Sequence, residues 1–108
     1  MAFYRKKPDI IIRNGLNLSP RRIEEAILSV PGISDAAVLG LPHPIQGEIP
    51  WAMAAGELSE EAVLDALRDK LPKNELPLGI YMTDQLPRTP SGKLDKQAIR
   101  EVLRKWKA

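Results

Sequence analysis

Prolines and glycines cut this sequence into short segments. Asn14-Gly15, Pro31-Gly32, Pro42, Gly47, Pro72 and Pro77 fall between its patterned stretches, and each bends the chain or removes a backbone donor. With 108 residues in all, the chain supports one small domain with one modest core, burying about two-thirds of the surface its unfolded form exposes. A pocket of about 300–1,000 Å³ is more than such a core both builds and closes. Any site for adenylation, acyl transfer or hydride transfer is therefore expected to be shared with other protein.

What is scarce narrows the chemistry further. Phe3, Tyr4, Trp51, Tyr81 and Trp106 are the whole aromatic inventory, so the core is expected to be aliphatic and stacking on bases is not expected. The absence of cysteine removes disulfides, thiolate ligands and thiol nucleophiles, and a single histidine, His43, excludes a multi-histidine metal site. No metal site is expected except a carboxylate one for magnesium. No apolar run approaches the length of a membrane span, and residues 1–7 lack the apolar centre of a signal peptide. The expected location is the cytoplasm. A net charge of +2 argues against nucleic acid as a partner, although the C-terminal part is basic: from Arg88 onward seven basic residues face two acidic ones. A solvated helix face with cations near its C-terminus accounts for Arg104, Lys105 and Lys107.

The spacing predicts a β-hairpin, Asp9–Arg13 with Leu16–Leu18 across Asn14-Gly15. Ser19-Pro20 opens a helix with Ile23, Ala26, Ile27 and Val30 on one face. Strands are expected at Asp35–Leu41 and Ile49–Ala55, with Pro50 confining its strand end to an edge. Ser59 caps a second helix carrying Val63, Leu67 and Leu71 as far as Pro72, and the stretch to Pro77 reads as a linker or broken turn. Gly79–Thr83 is a third strand, and Asp95 caps a last helix with Ile99, Val102, Leu103 and Trp106 inward. The fold class is α+β: a small, mainly antiparallel three-stranded sheet with packed helices, preceded by a short β-hairpin.

Between the third strand and the last helix lies Leu86-Pro-Arg-Thr-Pro-Ser-Gly-Lys-Leu-Asp-Lys96. Its centre, Thr89-Pro-Ser-Gly-Lys93, combines a stiffening proline, a hydroxyl to close a local turn, a glycine, Gly92, free to take positive φ, and Lys93 at the tip. It is not a P-loop, since Leu94 follows Lys93 and Pro87 stands five residues before Gly92. A Ser-Gly-Lys turn alone is weak evidence, because most such lysines are solvated turn residues. Here the whole string closely resembles the C-terminal lysine motif of the AMP-forming adenylating enzymes, the superfamily of acyl-CoA synthetases, peptide-synthetase adenylation domains and luciferases. Three further stretches match the same superfamily in order: Asp9–Pro20 with Ile23-Glu24, Val30–Pro42, and Gly47-Glu48. The resemblance covers about residues 5 to 104.

The resemblance implies that residues 1–8 are a hinge or linker remnant and residues 9–108 the mobile C-terminal domain of an ATP-dependent, AMP-forming acyl-CoA synthetase. The acyl pocket, the adenine site, the magnesium and most of the ATP site are then expected on a large N-terminal adenylating domain, the implied partner, and the isolated chain is expected to be inactive. Lys93 becomes the lysine of the adenylation step, with Thr89, Ser91 and Gly92 as its loop. Gly15 becomes the hairpin glycine lining the pantetheine tunnel for coenzyme A; its plainer meaning, a hairpin turn, carries equal weight. Counting back from Gly15 puts Lys6 at the ribose-binding arginine and Pro8 at the hinge, with Arg5 in place of a glycine. With one residue inserted, Arg5 and Lys7 take those roles instead. A proline hinge would restrict the domain rotation that the superfamily uses. Arg22 stands where the superfamily often has Glu, Glu75 where it often has Lys, and His43 where Asp is common. Trp51 and Trp106 read as packing residues, and Asp84 and Gln85 as turn residues able to orient the lysine loop. The competing possibility is a free-standing module that docks on a separate adenylating domain or carrier protein and supplies Lys93 in trans.

Overall fold

The structure, a computed structural model, describes residues 10–107. Its elements run β1 (Ile11–Arg13), β2 (Leu16–Leu18), α1 (Pro20–Leu28), β3 (Ile33–His43), β4 (Gly47–Gly56), α2 (Glu60–Arg68), a 3₁₀ turn (Lys73–Glu75), β5 (Ile80–Thr83) and α3 (Lys96–Lys107). The expected α+β class holds, with two refinements of the sheet. The hairpin does not stand apart: Arg13 of β1 pairs with Gly47 of β4, so all five strands join in one sheet, ordered β2-β1-β4-β3 with β5 also on β4. And β5 runs parallel to β4, from Ala52↔Ile80 to Ala55↔Thr83. A parallel partner needs a long crossover, which α2 supplies.

The β3–β4 ladder is the spine, with Asp35 opposite Ala55 and His43 opposite Gly47. Its side chains alternate between two faces. Ala36, Val38, Ala52 and Ala54 face Ile23 and Ile27 of α1 and Val63 and Leu67 of α2. Ala37, Leu39, Leu41, Met53 and Ala55 face Ile99 and Leu103 of α3. Three layers result, and two apolar clusters replace the one core expected. Among the described residues no polar or charged residue is buried.

Local chemistry explains the ends of each element. Ser19 and Ser59 cap α1 and α2 by accepting from Arg22 N and Ala62 N, while Asp95 Oδ1 accepts from Ala98 N at 3.1 Å at the start of α3. Pro50 is not on an edge strand, because β4 has β3 on one side and β1 and β5 on the other. It sits in the gap between them. Its carbonyl accepts from Leu78 N and Ala52 N donates to Gly79 O, so its missing N–H also points to that side, where β1 has ended and β5 has not begun. The expectation of an edge is met locally. The stretch before Pro77 forms the 3₁₀ turn rather than a linker.

Helix side chains finish the exposed strand backbones. Glu24 Oε2 accepts from Val38 N at 2.9 Å and Glu60 Oε2 from Ile80 N at 2.9 Å. An outer strand with such bonds filled is a poor template for a second chain.

Candidate functional site: two exposed tips

The lysine loop hangs between the end of β5 and the start of α3. Leu86 is buried before it and Ile99 after it. Inside, the backbone closes on itself: Thr89 N donates to Lys93 O at 2.8 Å, Gly92 N to Thr89 O at 2.9 Å and Asp95 N to Pro87 O at 2.9 Å, while Arg88 and Leu94 form an isolated antiparallel bridge. Thr89 Oγ1 and Ser91 Oγ share a hydrogen bond of 2.9 Å, so the hydroxyls bond each other while the backbone closes the turn. Gly92 takes φ +92°, and a Cβ there would meet nothing within 4 Å. Conformation, not crowding, therefore requires glycine at this position. Pro90 and Ser91, rather than Lys93, form the apex; Lys93 is exposed beside it, opposite Thr89 in the pair that closes the turn.

Arg88 ties this loop to the sheet. Its Nη1 donates to Gly92 O at 2.8 Å, and its Nη2 pairs with Asp35 Oδ2 on β3. Neither partner was singled out in the sequence, since Asp35 lies 53 positions upstream and nothing local links the two. Beside them an open polar cleft of about 630 Å³ is lined by Ser34, Asp35, Ala55 and Asp84 to Arg88. Asp84 and Gln85 border that cleft; of the two, Gln85 lends only its carbonyl, to Thr83 Oγ1 at 3.3 Å.

The second tip is the β1–β2 turn. Asn14 and Gly15 both have positive φ, +51° and +79°, as the two-residue primed turn demands. Again a Cβ on Gly15 would meet nothing within 4 Å of this domain. The turn leans on the one joining β3 to β4: Asn14 N donates to Gln46 O at 2.8 Å and Arg13 Nε to Gln46 Oε1 at 2.7 Å. His43 shapes that neighbour, its Nδ1 accepting from Ile45 N and Gln46 N. Its work is thus turn closure. Gly47, at φ +88°, lies so close to β1 that a Cβ would sit 2.9 Å from Ile12 O.

Arg22 and Glu75, expected from the resemblance to depart from the superfamily pattern, meet in space. Arg22 Nε lies 3.1 Å from Glu75 Oε1, with Glu75 15% and Arg22 62% exposed. Two residues that the resemblance sets apart in the sequence therefore form one ion pair. Trp51 and Trp106 pack edge to face at 5.7 Å, and Tyr81 joins Trp106 at 5.4 Å, as packing residues. Arg5, Lys6, Lys7 and Pro8 lie outside the described residues, and so does the hinge assigned to them.

With these features in place, the family model described as "AMP-binding enzyme C-terminal domain" matches residues 22–93. The chain belongs to that family. This AMP-binding C-terminal domain is 38% identical over 96 residues to the long-chain-fatty-acid–CoA ligase FadD13 of Mycobacterium tuberculosis, covering 86% of this chain and 19% of the relative. It is 35% identical over 100 residues to the 2-succinylbenzoate–CoA ligase of Bacillus cytotoxicus, covering 91% of the chain and 21% of that protein. In three dimensions it matches apo MatB from Rhodopseudomonas palustris with a TM-score of 0.80 and 34% identity, over 88% of this chain and 20% of that one. The AMP-binding C-terminal domain thus spans about one-fifth of the length of the proteins it matches. No helix among the described residues is long and apolar enough to cross a membrane.

Proposed function

We propose that this domain serves a large N-terminal adenylating domain in both half-reactions of an acyl-CoA ligase. Lys93 acts in the first, in which a carboxylate attacks the α-phosphorus of ATP to give an acyl-adenylate and pyrophosphate. The Gly15 hairpin acts in the second, lining the path by which the coenzyme A thiol takes the acyl group and releases AMP. Magnesium and most of the ATP site are assigned to the large domain, as the family resemblance implies. The acid is a fatty or aromatic carboxylate, the classes named in the two ligase relatives, and the place of action is the cytoplasm.

The observation that carries the reading is the exposed side chain of Lys93, flanking a turn closed by its own backbone bonds. In the adenylation step an anionic carboxylate approaches an anionic phosphate, and charge builds on oxygens that one ammonium touches together. Because the loop is formed before substrate arrives, little reorganisation is spent when the large domain presents its ligands. A compact charge on a flexible stem suits two oxygens on different groups better than a planar fork, so Lys93→Arg does not substitute.

The test is to supply the chain, in trans or fused, to the large domain of a fatty-acid–CoA ligase and to measure carboxylate-dependent exchange of pyrophosphate into ATP. The chain alone should give no exchange. Lys93→Ala in the assembled enzyme should lower it on the order of a hundredfold to a thousandfold, while acyl transfer from supplied acyl-adenylate to coenzyme A persists. Equal loss of both steps would refute the assignment.

A further inference from the structure

The backbone bonds that close the lysine loop lie within residues 87–95, and the one that leaves it, Ile99 N to Asp95 O, belongs to the first turn of α3. Such bonds fix the shape of the loop but not its placement on the sheet. Placement needs a tie that leaves the loop, and Arg88 provides one: Nη2 reaches Asp35 on β3 while Nη1 holds Gly92 O at 2.8 Å, one residue before Lys93. Asp35 is itself steadied, its Oδ1 accepting from Ala36 N at 3.0 Å. Packing holds the ends of the loop, where Leu86 is buried and Leu94 lies against the α3-facing cluster, but not its turn: the cleft of about 630 Å³ opens beside Asp35 and Arg88 and Gly92 has no atom within 4 Å of a Cβ position.

We propose that Arg88 is a positioning residue for Lys93, its guanidinium acting as a strut between Asp35 and the Gly92 carbonyl. A planar group that donates in two directions at once suits this work, whereas one ammonium on a flexible stem does not. The functional meaning of the strut rests on the adenylation role proposed for Lys93; its physical content does not.

The test uses backbone ¹⁵N relaxation on the full chain. In the native protein the amides of Gly92 and Lys93 should have order parameters near 0.85, falling below about 0.6 in Arg88→Gln and in Asp35→Ala, while Val38 and Ile99 are unchanged. Arg88→Lys should loosen the loop too. The double exchange Asp35→Arg with Arg88→Asp re-forms an ion pair but leaves Gly92 O without a donor, so it should not restore order. The proposal is overturned if the loop stays rigid in Arg88→Gln, if the double exchange restores it, or if Val38 and Ile99 loosen along with it, which would make Arg88 a general scaffold residue. In the assembled ligase, Arg88→Gln should lower kcat for adenylation with KM for ATP unmoved. If Lys93→Ala left adenylation intact while Arg88→Gln still loosened the loop, the catalytic assignment would fall and the strut would stand.

Discussion

The turn at Asn14-Gly15 and the loop at Thr89 to Lys93 are alike in outline. Each is exposed and carries a glycine at positive φ, +79° and +92°, with open space where a Cβ would go. Their bracing differs. The hairpin tip is joined by backbone to a second turn, through Asn14 N and Gln46 O and through the Arg13↔Gly47 pair, so it moves with the sheet as one body. The lysine tip is joined to the sheet through a side chain, Arg88. A tip built into the ladder is aimed by turning the whole domain; on the strut proposed above, the lysine turn is set locally, and Arg88→Gln is expected to retune it with the fold intact.

The sharpest way to break the comparison is functional. If the two tips serve separate half-reactions, Gly15→Trp in the assembled ligase should lower transfer from acyl-adenylate to coenzyme A on the order of a hundredfold and leave pyrophosphate exchange unchanged, the mirror image of Lys93→Ala. Loss of exchange as well would show that the tips are not independent. Next comes the brace itself. Gly47→Ala places a Cβ against Ile12 O at left-handed φ, and urea unfolding should show a loss of about 2 kcal/mol or more. Gly15→Ala and Gly92→Ala lack that clash, so each should cost about 1 kcal/mol, the strain alone. A Gly92 cost as large as that of Gly47 would mean the lysine loop is also held through backbone. The smallest effect is expected away from both tips: reversing the polarity of the Arg22–Glu75 pair by Arg22→Glu with Glu75→Lys should leave stability within about 0.5 kcal/mol, with each single change costing up to about 1 kcal/mol. Additive single costs in the double variant would show that the pair is not coupled.

Much of this was legible because it is local. Ser19-Pro20, Ser59 and Asp95 announce helix starts through caps that act within three residues, and Ile23, Ile27, Val63, Leu67, Ile99 and Leu103 keep helical spacing. The lysine loop was legible for the same reason, its closing bonds joining residues at most eight apart. What escaped depends on pairings distant in sequence. Merging the hairpin into the sheet rests on Arg13 meeting Gly47, and the glycine that permits it reads locally as an ordinary turn residue. The parallel direction of β5 is decided by α2 crossing the sheet, for which a four-residue strand holds no pattern. Pro50 was read as an edge signal although the strand is central, because the gap between β1 and β5 exists only after folding. Arg22 with Glu75, and Arg88 with Asp35, were visible only as separate charges.

The edge-to-face contact of Trp51 with Trp106 has an optical consequence. These are the only two tryptophans in the chain, and the contact lies where α3 meets the sheet. Intrinsic emission therefore watches one layer of a three-layer molecule. It reports the arrival and departure of the helix that follows the lysine loop and is blind to α1 and α2. Compared with a backbone signal that samples all three helices, it tells whether that helix leaves with the rest of the domain or ahead of it.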